Sequence, residues 1–139
     1  MRGRCECGRV QYRSEGKVQY FSHCHCSQCR RVHGAAFATF VSVPREGFTY
    51  LSGESDLRTY ASSDHQNRLF CGVCGSSLLV EAAREPDLIH LALGTVEEVP
   101  ELPDAFHIFV GSKAEWHCFH DDAPQYAVSY THLTLPTKA

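Results

Sequence analysis

Seven of the eight cysteines in this 139-residue chain fall into three short groups, and that grouping constrains the fold more than any other feature. The groups are Cys5-x-Cys7, Cys24-x-Cys26-x2-Cys29 and Cys71-x2-Cys74. Each crowds its sulfurs within about one turn of chain, where neighbouring thiolates can converge on a single ion. In a secreted chain so many cysteines would instead suggest disulfides. Here Met1-Arg2-Gly3-Arg4-Cys5 lacks the apolar core of a signal peptide, and no apolar run approaches the ~20 residues of a membrane span. The expectation is a cytoplasmic metal protein, with zinc as the metal that such thiolate groups suit.

The first and third groups share a design. Cys71-Gly72-Val73-Cys74-Gly75 has the shape of a zinc knuckle, whose turn aims two thiolates at one point and whose glycine lets amides approach the sulfurs. A knuckle supplies two ligands and a structural zinc takes four. Cys5 and Cys7, followed by Gly8, are the natural partners. The set Cys5, Cys7, Cys71 and Cys74 would tie the N-terminus to the middle of the chain, and the metal would then supply a large share of the folding free energy. The alternative is that Cys71 and Cys74 pair with the middle group.

The middle group, His23-Cys24-His25-Cys26-Ser27-Gln28-Cys29-Arg30-Arg31, offers three thiolates in six residues. Cys26 and Cys29 stand near the start of a predicted helix, Ser27–His33, which Gly34 ends. A helix N-terminus favours the thiolate that a metal needs. Three protein ligands leave a fourth position for water or substrate, the pattern of a catalytic zinc, and a soft site suits an incoming thiol. The competing reading closes the site with His23, His25 or His33. Cys118, the eighth cysteine, reads as a small buried apolar residue.

Elsewhere the pattern is mostly β, with short runs separated by Gly, Pro, Ser and Asp. Arg9–Tyr12 and Val18–Phe21 read as a first pair. In Phe37–Val43 the residues Phe37, Thr39, Val41 and Val43 face one way and Ala38, Phe40 and Ser42 the other, until Pro44 stops the run. Phe48–Leu51 and Leu57–Tyr60 follow with Gly53 between them, then Arg68–Cys71. Ser77–Glu81 and Leu88–Leu93 read as a pair, and Ile108–Val110 as a short strand. One domain is expected over residues 1–125, with 126–139 as a flexible or non-native tail. The net charge of −3, from 13 basic and 16 acidic residues, gives no electrostatic reason to expect nucleic acid as a partner.

Taken together, these residues resemble the glutathione-dependent formaldehyde-activating enzyme family, which also includes centromere-protein-V-like proteins. The resemblance runs from Gly3-x-Cys5-x-Cys7-Gly8-x-Val10-x-Tyr12 through Cys24-His25-Cys26-x2-Cys29-Arg30-Arg31 and Gly34-Ala35. It continues over Phe37–Phe40, Phe48, Gly53, Tyr60, Ser62 and Ser63, then Arg68-x-Phe70-Cys71-x2-Cys74-Gly75-Ser76. It ends with His107-Ile108, Trp116, Asp121, Asp122, Pro124 and Tyr126.

The resemblance implies a β-tent of small antiparallel sheets leaning together over the metals. It implies a structural zinc on Cys5, Cys7, Cys71 and Cys74 and a catalytic zinc on Cys24, Cys26 and Cys29, two per chain. The implied activity is carbon–sulfur lyase chemistry, joining a thiol such as glutathione to a small aldehyde such as formaldehyde, or the reverse. Arg30, Arg31 and Arg68 are candidate cations for a substrate carboxylate, each weighed against a solvated surface role. His25 and His33 are candidate proton carriers. Ser62 and Ser63 have no nucleophilic triad around them. The rival class is a non-enzymatic zinc module that binds protein, with its middle site closed.

Overall fold

The computed structural model describes residues 1–129; of the tail expected over 126–139, the part beyond Ser129 lies outside the described residues. The chain forms β1 (Arg2–Arg4), β2 (Gln11–Ser14), β3 (Tyr20–Cys24), α1 (Ser27–His33), β4 (Ala38–Pro44) and β5 (Phe48–Ser52). It continues with β6 (Leu57–Ser63), β7 (Gln66–Cys71), β8 (Ser77–Ala82), β9 (Leu88–Ala92) and β10 (Ala105–Ile108). The fold is mainly β with one short helix, as the sequence implied.

Two sheets carry it. The smaller has the order β1-β2-β5, antiparallel throughout. The larger has the order β10-β3-β4-β9-β8-β7-β6 and is antiparallel except at one edge, where β10 runs parallel to β3. The expected pairing of the first two runs does not occur. Tyr12 of β2 sits opposite Gly3 and Tyr50, whereas β3 pairs with β4 and β10 in the other sheet. Val18, between them, is drawn into the core and turns the chain from one sheet to the other. The expected pairing of β8 with β9 is present, with Leu79 opposite Leu91 and Val80 opposite His90.

The period of two in β4 decides what each face of the large sheet does. Val41 lies opposite Phe21 and Leu91, and Val43 opposite Ile89; these residues join Tyr12 of the small sheet and Val10, just before β2, in one buried core. Burial of that core is the main source of stability. The other face carries a row that crosses five strands: Tyr20, Ser42, His90, Val80, Arg68 and, on a sixth, Tyr60. Its neighbours Phe40 and Cys24 stand beside the helix, in a second small cluster with Cys29, Ala38 and Val80. The apolar face therefore faces the small sheet, and the mixed face is left to form a cavity.

Beyond β10 the chain returns. Tyr126 N–H donates to the His107 carbonyl at 2.9 Å, and Phe109 N–H to the Val128 carbonyl at 2.8 Å, so residues 124–128 run alongside the end of the sheet. No helix among the described residues is long and apolar enough to cross a membrane.

Candidate metal centres and active site

The two knuckles are built alike. The Gly8 N–H donates to the Cys5 carbonyl and the Gly75 N–H to the Cys71 carbonyl, at 3.1 and 2.8 Å, with both glycines at positive φ (81° and 83°). That left-handed geometry is what a glycine allows cheaply. The Glu6 N–H donates to Ser76 Oγ at 2.9 Å, which fastens one knuckle to the other. All four sulfurs, of Cys5, Cys7, Cys71 and Cys74, then lie within 4.8 Å of one another. Cys5 and Cys7 sulfurs are 3.6 Å apart, and Cys7 and Cys71 sulfurs 3.8 Å. Tetrahedral coordination with zinc–sulfur bonds of about 2.3 Å separates ligand sulfurs by about 3.8 Å. The set fits a metal ion, and the alternative pairing of Cys71 and Cys74 with the middle group is not the one formed.

The middle group converges as well. Sulfurs of Cys24, Cys26 and Cys29 lie within 4.8 Å of one another. Cys24 ends β3, Cys26 is the N-cap of α1, and its sulfur accepts from the Cys29 N–H at 3.3 Å. Without a cation the three sulfurs compete for protons. Hydrogen bonds from Cys24 and then Cys29 drive the Cys26 thiol down to about 2, and the Cys24 thiol is pushed up, chiefly by its hydrogen bonds with Cys26 and Cys29. Three thiolates at one point require positive charge, which a divalent ion supplies, so this set also fits a metal.

No histidine joins either set among the described residues. His23 Nδ1 bonds Thr39 Oγ1 at 2.8 Å, across β3 and β4. His25 is fully buried behind the cluster, its Nε2 2.8 Å from His107 Nδ1, while His107 Nε2 donates to Asp121 at 3.2 Å. Since the carboxylate accepts, a neutral His107 presents Nδ1 as an acceptor, and His25 Nε2 donates to it. Burial, followed by the repulsion that a second protonated ring at His107 would add, holds both His23 and His25 down at about 4, so both are neutral near pH 7. His33 packs its ring edge-on against Phe40. The His25–His107–Asp121 chain was not legible from spacing, because β10 and the loop after it are brought to β3 only by the parallel edge pairing.

A cavity of about 800 Å³ opens beside Cys24, Cys26 and Cys29 and runs along the mixed face of the large sheet. Its walls include Ser42, His90, Arg68, Gln28 and Phe109, with Arg84 and His65 at the far side, 3.1 Å apart. His90 Nδ1 bonds Ser42 Oγ at 2.7 Å, and its Nε2 lies 3.4 Å from Glu85. Ser63 borders the cavity; Ser62 does not, its carbonyl accepting from Gln28 Nε2. Arg30 and Arg31 lie in the last turn of α1, outside this cavity, where their charge suits the helix C-terminus.

Two readings from the sequence are corrected. Arg68, weighed there as a solvated surface residue, is buried and donates through Nη2 to Cys29 Sγ at 3.5 Å, because the strand alternation puts it on the cavity face opposite Val80. Cys118, read as buried, is exposed and belongs to neither set, since the segment after β10 crosses the surface.

A fold of this kind, mainly β and holding one four-thiol and one three-thiol group, defines a class that comparison with known proteins makes specific. The sequence pattern of the family described as "Glutathione-dependent formaldehyde-activating enzyme" matches residues 1–112, and the chain belongs to that family. It is 27% identical over 133 residues to a Halomonas elongata protein named "Putative glutathione-dependent formaldehyde-activating enzyme", covering 84% of this chain and 78% of that one. It is 29% identical over 76 residues to an uncharacterized lyase of Schizosaccharomyces pombe, covering 55% of this chain and about half (53%) of the yeast protein. A crystal structure of a Rhodobacter sphaeroides protein shares the fold with a TM-score of 0.60 at 23% identity, covering 74% of this chain and 98% of that one.

Proposed function

We propose that this protein is a zinc-dependent carbon–sulfur lyase that adds a thiol such as glutathione to a small aldehyde, formaldehyde among them, or reverses that addition. The observation that carries the reading is the three-sulfur group of Cys24, Cys26 and Cys29, whose set takes in no fourth ligand from the described residues and which opens on the large cavity. The family description and the lyase name of the yeast relative support the same class of reaction.

In the forward direction a sulfur–carbon bond forms as the carbonyl π bond breaks, and the thiol proton ends on the former carbonyl oxygen, giving a hemithioacetal. A zinc ion held by Cys24, Cys26 and Cys29 would supply a Lewis acid and a position that stabilises the substrate thiolate. The chain does the rest. Cys26 anchors the helix start through its N-cap bond, and the buried His25–His107 pair fixes the turn between Cys24 and Cys26 from behind. Phe40 and Ile108 form apolar wall beside the sulfurs, which limits water there. Cys5, Cys7, Cys71 and Cys74 would hold a structural zinc, and the protein would act on small molecules in the cytoplasm.

The test combines metal analysis with turnover. Protein purified without chelator should carry two zinc ions per chain, one released preferentially by mild chelation. Titration of glutathione with formaldehyde and a panel of small aldehydes should then show accelerated hemithioacetal formation. A single tightly held ion would sink the two-site reading, and silence across the panel would turn the assignment toward another thiol or a binding role.

A further inference from the structure

Arg68 is the only Arg, Lys, Asp or Glu side chain buried among the described residues, with 5% of its surface exposed. It takes part in none of their ion pairs. Its Nη2 donates to Cys29 Sγ, while Nε and Nη1 are buried without a partner. A guanidinium cannot shed its charge by losing a proton, and burying it unpaired is costly. Some anion must compensate it, and the group it touches is the three-cysteine set.

Three thiolates and one divalent ion sum to a charge of −1, and Arg68 cancels it. The knuckle cluster is treated differently: its sulfurs accept from the Val10, Val73 and Cys74 backbone N–H groups, with no buried Arg or Lys of the described residues beside them. The asymmetry matters for what enters. A neutral ligand is indifferent to the surplus charge of a metal–thiolate centre, whereas an incoming thiolate would be repelled by it.

We propose that Arg68 is a positioning residue that neutralises the Cys24, Cys26 and Cys29 centre so that it takes an anionic thiolate in preference to a neutral ligand. The proposal rests on reading that centre as an open metal site.

The experiment uses the full chain loaded with cobalt in place of zinc, and follows thiol binding by the sulfur-to-cobalt charge-transfer absorption. The probe is 2-mercaptoethanol, which has no carboxylate and so offers Arg68 no anion besides the thiolate itself; imidazole is the neutral comparison. Arg68→Met and Arg68→Gln should weaken 2-mercaptoethanol binding by about tenfold or more, with imidazole binding changed less than about twofold. Arg68→Lys should restore most of the thiol affinity. Equal loss of both ligands, or thiol binding in the neutral variants as tight as in the parent, overturns the proposal. If neither neutral variant folds, the unmodified protein decides: it should bind the thiol at least about tenfold tighter than imidazole, and the reverse order overturns the proposal. A parent protein that shows no thiol-dependent absorption at all fails at the earlier step, the open site, and takes the proposal with it.

Discussion

At the scale of single residues, the buried histidines make the sharpest prediction. His23 and His25 titrate near 4 in the fold, against about 6.5 in an unfolded chain. The unfolded state therefore takes up protons first as pH drops. Their contribution to stability is complete above about pH 6.5 and is lost progressively as pH falls toward 4. Ring resonances of both should keep the chemical shifts of the neutral form to about pH 5, and an ordinary midpoint near 6.5 for either would contradict their burial. A second residue-scale prediction concerns Cys26. Cys26→Ser should leave a folded protein, since the helix keeps an oxygen N-cap of similar shape, while one metal equivalent and the activity are lost together. Metal content per chain and far-UV circular dichroism, measured on the same sample, check it.

Among the elements, the knuckles and the turn that supports them dominate. Gly53, between β5 and β6, has φ +75°, and a Cβ there would collide with the Arg9 carbonyl next to the first knuckle. Gly53→Ala should cost at least about 2 kcal/mol, combining left-handed strain with displaced backbone, and thermal denaturation reads it directly. β4 shows why alternation was the most legible signal along the chain. Its two faces go to the apolar core and to the cavity, as Val41 and Val43 on one side and Phe40 and Ser42 on the other require. Likewise the end of α1 was legible because Gly34 announces it, here as the left-handed C-cap, whereas the N-cap role of Cys26 shows only in the structure. β1 and the partnership of β10 were not: three residues carry no period, and a parallel edge contact between Ala105–Ile108 and Phe21–Cys24 leaves no local mark.

For the whole molecule, the four-thiol cluster joins β1–β2 at the start of the chain to the β7–β8 turn, and so fastens the small sheet to the large one. Loss of a ligand here is expected to act on the entire fold. Cys74→Ser should unfold the protein or lower its melting temperature far more than Cys26→Ser does, and strong chelation should produce the same collapse in the unaltered chain. Scanning calorimetry of the two variants, side by side, distinguishes the clusters; equal effects would remove the division of labour proposed for them. The core between the sheets should respond in the ordinary way: Leu91→Ala, at a fully buried position, should cost about 2–5 kcal/mol in chemical denaturation. The sequence by itself determined the three cysteine groups, the helix and most strands, because ligand spacing, caps and period two are local properties of the chain. Only the tertiary structure decided that Arg68 stands at Cys29, that His25 leans on His107 and Asp121, and that a cavity lies over the three-sulfur group. Those facts depend on which strands become neighbours, and strand order follows from how distant apolar faces are buried together rather than from any short stretch of residues.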